Sequence, residues 1–140
     1  MEAFGMRLLW PNLRYAFALA LCLPLHIMAN AMDLSELNGR WVLESVDGEN
    51  VTSGDEEQAY FEITDQSITG YDGCNPFGGK INNPSAMRKK ERGCPDTPLF
   101  PLNLSDPSSQ LSRARIESDK LFLPLLDGKS EAQFSRVPKN

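Results

Sequence analysis

The residues best suited to chemistry are concentrated in one segment, residues 70–79, which reads GYDGCNPFGG. It combines the thiol of Cys74 and the amide of Asn75 with four glycines, a residue type that adopts positive φ angles and permits close backbone approach. A phosphate-binding glycine loop would have to open a helix. Here Pro76, Phe77 and a strand-like stretch follow, so we predict a tight structural turn that packs Phe77, and no phosphate site.

The N-terminus has the order of a secretory signal peptide. Arg7 and Arg14 form a basic start, residues 15–25 (YAFALALCLPL) are apolar, and residues 29–31 (ANA) have the small-x-small pattern of a cleavage site. We therefore predict cleavage after Ala31 and a periplasmic or secreted mature chain. No apolar run reaches the roughly eighteen residues that a membrane-spanning helix needs, so no span is expected.

A lipoprotein is the less favoured alternative. Cys22 follows Leu19-Ala20-Leu21, and the first two positions suit a lipobox. The residue before the cysteine should be small, however, and here it is Leu21.

Two cysteines, Cys74 and Cys94, remain after cleavage. In an oxidising compartment a disulfide between them is the default expectation. It would close a loop of about twenty residues and stabilise the domain by roughly 3 kcal/mol.

The composition excludes several classes of function. The single histidine, His26, lies in the leader, so the mature chain lacks the base of Ser-His-Asp and Cys-His catalysis and a common zinc ligand. A net charge of −5 gives no general attraction to nucleic acid. We therefore assign no catalytic, cofactor or metal residues and expect a protein that is not an enzyme.

The mature chain, residues 32–140, has the pattern of a mostly β domain, α+β at most. Short alternations of apolar and polar residues, about seven strands, are separated by turn dipeptides such as Asp47-Gly48. Strands are expected at 40–46, 60–64, 67–71, 74–81, 111–117, 120–126 and 131–137. A curved sheet or barrel would close them.

Residues 82–109 break this pattern. Prolines at five positions argue against a long helix and a central strand, so we expect an irregular connection. The basic run 87–92 (MRKKER) within it is either a solvated strand edge or loop, or a contact for an anionic partner.

Three segments resemble the META/HslJ-like family of heat-shock proteins. Residues 37–43 (LNGRWVL) are similar to its opening L-x-G-x-W-x-L, residues 68–79 to its Gly-Cys-Asn segment, and residues 120–137 to its closing hairpin. The resemblance covers most of residues 35–137, although the proline-rich stretch replaces an acidic helix of the family. The motif positions are Gly70, Gly73, Cys74, Asn75, Phe77 and Gly79.

The resemblance implies a small β-rich envelope protein without established catalytic residues, associated with stress tolerance. We expect it to act by binding an envelope protein or a small apolar ligand, as a monomer.

Two alternatives remain. The first is a lipocalin-like carrier whose cavity would be lined by Trp41, Phe61, Ile63 and Phe77. The second is a secreted inhibitor that inserts its proline-rich loop into a hydrolase.

Overall fold

A computed structural model describes residues 32–51, 57–90, 93 and 100–139 of the chain. The predicted leader, with its expected cleavage site after Ala31, lies outside the described residues, and so do Cys22 and Cys94. Predictions that concern these residues stay predictions.

The described residues form one antiparallel sheet of nine strands with two short helical segments. A 3-10 helix (Leu34–Leu37) precedes the sheet, and α1 (Pro107–Leu111) lies late in the chain. The strands are β1 (Gly39–Val46), β2 (Glu49–Asn50), β3 (Tyr60–Thr64), β4 (Ser67–Tyr71), β5 (Pro76–Lys80), β6 (Asn83–Lys89), β7 (Arg115–Glu117), β8 (Lys120–Pro124) and β9 (Glu131–Arg136). Their order is β6-β5-β4-β3-β1-β9-β8-β7, and β2 pairs with β1 alone.

Local turn chemistry explains the hairpins. Asp47 (φ 54°) and Gly48 (φ 79°) both adopt the positive φ that a two-residue turn between β1 and β2 requires. Asp65 (φ 55°) and Ser118 (φ 56°) make the corresponding bends before β4 and β8. Gly128 (φ 66°) lies in the wider turn between β8 and β9.

One face of the sheet carries the core. Trp41 pairs with Phe61 in the β1–β3 register, and the Phe61 ring meets the Phe134 ring edge to face at 5.0 Å. Leu102 and Leu111 cover this face from outside the sheet and are buried with it. Because alternate residues point to one face, β1, β3, β4, β8 and β9 bury every second side chain along part or all of their length.

The predicted mostly β class is confirmed, and the sheet is open. Within the described part of the chain, no hydrogen bonds join the two ends of the strand order, β6 and β7. The sequence predicts a curved sheet or a barrel, and the described strands form a single sheet that is not closed into a barrel.

The prediction of an irregular connection over residues 82–109 is wrong in part. Residues 83–89 form β6, and α1 begins at Pro107. Pro84 is tolerated because β6 is an edge strand and its register with β5 shifts, which leaves this residue outside the paired positions. Residues 83–89 therefore do not form a central strand, as expected, but prolines do not exclude an edge strand.

Three predicted strands differ from the observed strands by two or more residues at one end. The prediction of a strand at 111–117 is wrong in part, because Leu111 ends α1 and only Arg115–Glu117 is a strand. β8 stops at Pro124, and β5 begins at Pro76 because the preceding residues form a turn. Proline marks both bounds because it lacks the N–H that a strand ladder needs.

Candidate functional site: a surface groove beside the glycine turn

Two of the motif glycines, Gly70 and Gly79, allow close packing. A Cβ at Gly70 would lie 2.4 Å from the carbonyl oxygen of Tyr60 and 2.5 Å from the Phe77 ring. Gly70 pairs with Phe77 in the β4–β5 register, so the missing side chain makes room for that buried ring. A Cβ at Gly79 would lie 2.8 Å from the Met87 Cα, because the neighbouring strand β6 approaches β5 closely at this point. These positions hold glycine because larger residues would collide.

The turn between β4 and β5 is organised by the carboxylate of Asp72. Its Oδ1 accepts hydrogen bonds from the backbone N–H of Cys74 at 2.9 Å and of Asn75 at 2.5 Å. Gly73, between Asp72 and Cys74, adopts φ 95°. The predicted tight turn is therefore present, and Asp72, with a side chain only 7% exposed, is its central acceptor.

A lysine from the sheet edge completes the surroundings of Asp72. The Lys89 Nζ lies 2.8 Å from its Oδ2. Burial raises the pKa of Asp72, but the hydrogen bonds from Lys89, Asn75 and Cys74 together outweigh it, so the pKa lies below its ordinary value. Lys89 belongs to the basic run 87–92, which the sequence predicts to be a solvated strand edge or loop, or a contact for an anionic partner. In the structure this lysine pairs with Asp72 of the same chain.

Cys74 lies in this turn with a side-chain neighbour. The Asn75 Nδ2 donates a hydrogen bond to the Cys74 Sγ at 3.1 Å. Cys94 is outside the described residues, so the disulfide between Cys74 and Cys94 stays a prediction.

Asp72 and Lys89 border a surface groove with a volume of about 880 Å³. The groove lies between the β1–β2 hairpin, the segment before α1 and the turn after β8. Most of its lining is apolar: Val46, Val51, Phe100, Pro101, Leu102, Leu104, Leu125 and Leu126. The polar lining residues are Asp47, Glu49, Asn50, Asp72, Lys89 and Asn103.

A buried amide holds one wall of the groove. The Gln110 Nε2 donates to the carbonyl oxygens of Pro101 and Pro124, both at 2.9 Å, and its Oε1 accepts from the Asn103 N–H at 2.7 Å. Gln110 is 1% exposed. It therefore ties the segment that lines the groove to the end of β8.

The sequence did not predict the role of Gln110, although one signal for its helix was available. Asp106 precedes Pro107, and an N-cap acid followed by proline is typical of a helix start. The Asp106 side chain accepts from the Ser109 N–H at 3.2 Å, as such a cap does. The position of Gln110 against the groove is a tertiary contact that no local pattern indicates.

The internal cavity expected for a lipocalin-like carrier is replaced by packed side chains. Trp41, Phe61, Ile63 and Phe77 are all buried in the core cluster, and none of them lines the groove. The Trp41 Nε1 donates to the Leu37 carbonyl oxygen at 2.8 Å, which fixes the ring in place. Space for a ligand lies at the surface instead.

A second polar cluster lies on the opposite face of the sheet. Glu44 accepts from the Lys120 Nζ at 2.5 and 2.6 Å and from the Gln133 Nε2 at 2.7 Å. The hydrogen bond from Lys120 is the largest cause of the lowered pKa of Glu44. The cluster joins β1, β8 and β9, and each charge has a partner, so we interpret it as structural.

Two findings concern metal sites and membrane-spanning helices. In the described ranges, no group of three or more His, Cys, Asp or Glu side chains could hold a metal ion. Across the same part of the chain, no helix has the length and apolar character needed to cross a membrane.

Comparisons with known proteins show one similar fold and one matching family. A protein solved by NMR has a similar fold, with a TM-score of 0.50, 22% sequence identity, and coverage of 75% of this chain and 95% of the other. No curated protein matches the sequence. The family model of the META domain matches residues 33–86, which contain β1 to β5, most of β6 and all the motif positions. The resemblance inferred from the sequence is therefore confirmed over residues 33–86, which match the META domain.

Proposed function

We propose that the mature chain is a non-enzymatic, exported binding protein that holds a small apolar ligand in the groove. The observation that carries the proposal is the groove itself. Its volume of about 880 Å³ and mostly apolar lining suit a small-molecule site, which typically has about 300–1,000 Å³ and a few polar groups. Tolerance of envelope stress through sequestration of such a ligand is the physiological role we propose.

Preorganisation supports this proposal. Gln110 anchors the segment 101–103, and Asp72 anchors the turn at the other end of the lining. A wall that is already ordered loses little conformational entropy on binding, which favours affinity.

The polar groups of the groove support a binding role over catalysis. Asp72 is the buried carboxylate of the lining, and it already accepts from two backbone N–H groups and contacts Lys89. A general base needs a free acceptor within reach of the substrate proton. The mature sequence also contains no histidine that could take this role.

A neutral dye tests the groove. The protein would be exported with its own leader, purified from the periplasm and titrated with N-phenyl-naphthylamine, whose fluorescence rises in apolar sites. We expect saturable binding at micromolar concentrations. The mass of the same material tests the predicted start at Met32, and a lipidated Cys22 would contradict it.

A matched pair of variants locates the dye. Leu126 in the groove lining is 69% exposed and Val137, which does not line the groove, is 40% exposed, so neither change should unfold the protein. Leu126→Asn should weaken dye binding about fivefold or more, because an apolar contact of about 1 kcal/mol is lost. Val137→Asn should leave binding unchanged. Equal binding by both variants would show that the dye does not occupy the groove.

The hydrolase-inhibitor alternative depends on the proline-rich loop. Residues 94–99 of that loop lie outside the described residues, so this alternative stays a prediction.

A further inference from the structure

The groove has an uneven distribution of charge. Three carboxylates, those of Asp47, Glu49 and Asp72, and one ammonium group, that of Lys89, line it. Lys89 already contacts Asp72 at 2.8 Å, so these two charges compensate each other. The charge left for a ligand is therefore negative and comes from Asp47 and Glu49.

The two remaining carboxylates are held at the rim by the β1–β2 hairpin. Asp47 occupies the turn with φ 54°, and its N–H donates to the Glu131 carbonyl oxygen at 2.8 Å, which fixes the hairpin against β9. Glu49 is paired with Val46, which itself lines the groove. Neither carboxylate forms an ion pair with another described residue.

The apolar part of the lining lies beside this acidic rim. Leu104 and Leu125 are half-buried, and Leu126 is largely exposed. A ligand that covers these leucines while approaching the hairpin must be apolar along its body and compatible with negative charge at one end.

From this arrangement we infer that the groove selects cationic amphiphiles: small molecules with an apolar body and a protonated amine or quaternary ammonium group. The inference rests on the proposed function, because it names the ligand class of the same site. The apolar body packs against the leucines, and the cation lies near Asp47 and Glu49. An anionic amphiphile of equal length meets the same apolar wall but is repelled at the rim.

Two surfactants with the same alkyl chain test the charge preference. Decyltrimethylammonium and decyl sulfate, both below their micelle-forming concentrations, would be titrated against the complex of the exported protein with N-phenyl-naphthylamine. We expect the cation to displace the dye at a concentration about tenfold lower than the anion at low ionic strength. The difference should shrink in high salt, because exposed charges are screened.

Isosteric variants assign the preference to the rim. The double variant Asp47→Asn, Glu49→Gln should lose most of the preference for the cation, measured as the ratio of the two surfactant concentrations that displace the dye from that same variant. The control is Asp65→Asn, Glu62→Gln, which removes two exposed carboxylates outside the groove lining, one of them also at a positive φ of 55° in a hairpin turn. The control should retain the preference.

The outcomes separate the two ideas. Dye binding with equal displacement by both surfactants, or with a preference for decyl sulfate, would overturn the inference and leave the proposed function standing. An equal loss of preference in the rim and control variants would also overturn it, because net charge alone would then explain the effect. Absence of dye binding by the wild type would refute both.

Discussion

The amide of Gln110 provides the sharpest test of how the groove is built. In Gln110→Leu, a side chain of similar size replaces an amide that is 1% exposed. Three hydrogen bonds are lost: those to the Pro101 and Pro124 carbonyl oxygens at 2.9 Å and that from the Asn103 N–H at 2.7 Å. The variant keeps the packing and leaves three backbone groups without their partner.

The expected cost follows from these contacts. At about 1 kcal/mol for each hydrogen bond, the free energy of unfolding should fall by roughly 3 kcal/mol. A domain of this size has a total stability on the order of 5–15 kcal/mol, so the loss is large. The melting temperature should drop by roughly 10–20 °C.

The measurement is urea unfolding followed by the fluorescence of Trp41, the single tryptophan of residues 32–140. Gln58→Leu is the control, because the Gln58 Nε2 makes one hydrogen bond, to the Leu43 carbonyl oxygen at 2.7 Å, and the residue is exposed. The control should lose about 1 kcal/mol or less. Binding of the neutral dye should also weaken in folded Gln110→Leu, because the groove wall loses its anchor. A loss no greater than that of the control would refute the reasoning.

Three further predictions concern the turn that the motif builds. Gly70→Ala should lower the free energy of unfolding by about 2 kcal/mol or more, because its Cβ would lie 2.4 Å from a backbone oxygen. Gly78→Ala is the control: its Cβ would meet no atom closer than 3.4 Å, so it should lower the free energy of unfolding by about 1 kcal/mol or less. Equal losses of the two variants in chemical denaturation would contradict this reasoning. Because the pKa of Asp72 is lower in the folded chain than its ordinary 3.8, its stabilising effect is complete well above pH 3.8 and is lost as the pH falls through the folded value. Asp72→Asn should therefore weaken the pH dependence of stability in that acid range, and an unchanged pH profile would argue against the ion pair. Exported protein should contain the Cys74–Cys94 disulfide, seen as a mass increase of two hydrogens on reduction, and two freely alkylated thiols without reductant would disprove it.

Much of the sheet could be predicted from local patterns. The alternation in residues 60–64 and 67–71 matches β3 and β4 to the residue, because buried and exposed positions in a half-buried strand repeat every two residues. The turn at Asp47-Gly48 was predictable because few residues accept positive φ.

The proline-rich region shows where such patterns end. Residues 83–89 contain Pro84 and few apolar residues, so nothing local indicates a strand, yet they pair with β5 as an edge. Gly79 makes this possible, because only a residue without a side chain lets the Met87 backbone approach so closely. Pairing of this kind depends on the partner strand, which a single segment does not reveal.

The amino-acid sequence by itself determined the β class, the main hairpins, the identity of the motif and the glycine turn that packs Phe77. Each of these depends on short-range periodicity or on residues with unusual backbone freedom. The tertiary structure decided that the sheet stays open, that Lys89 meets Asp72, and that Gln110 holds a groove wall. These contacts join side chains from separate elements, and their energies depend on burial and distance in three dimensions. The groove exists only once the sheet has brought together the separate segments that line it.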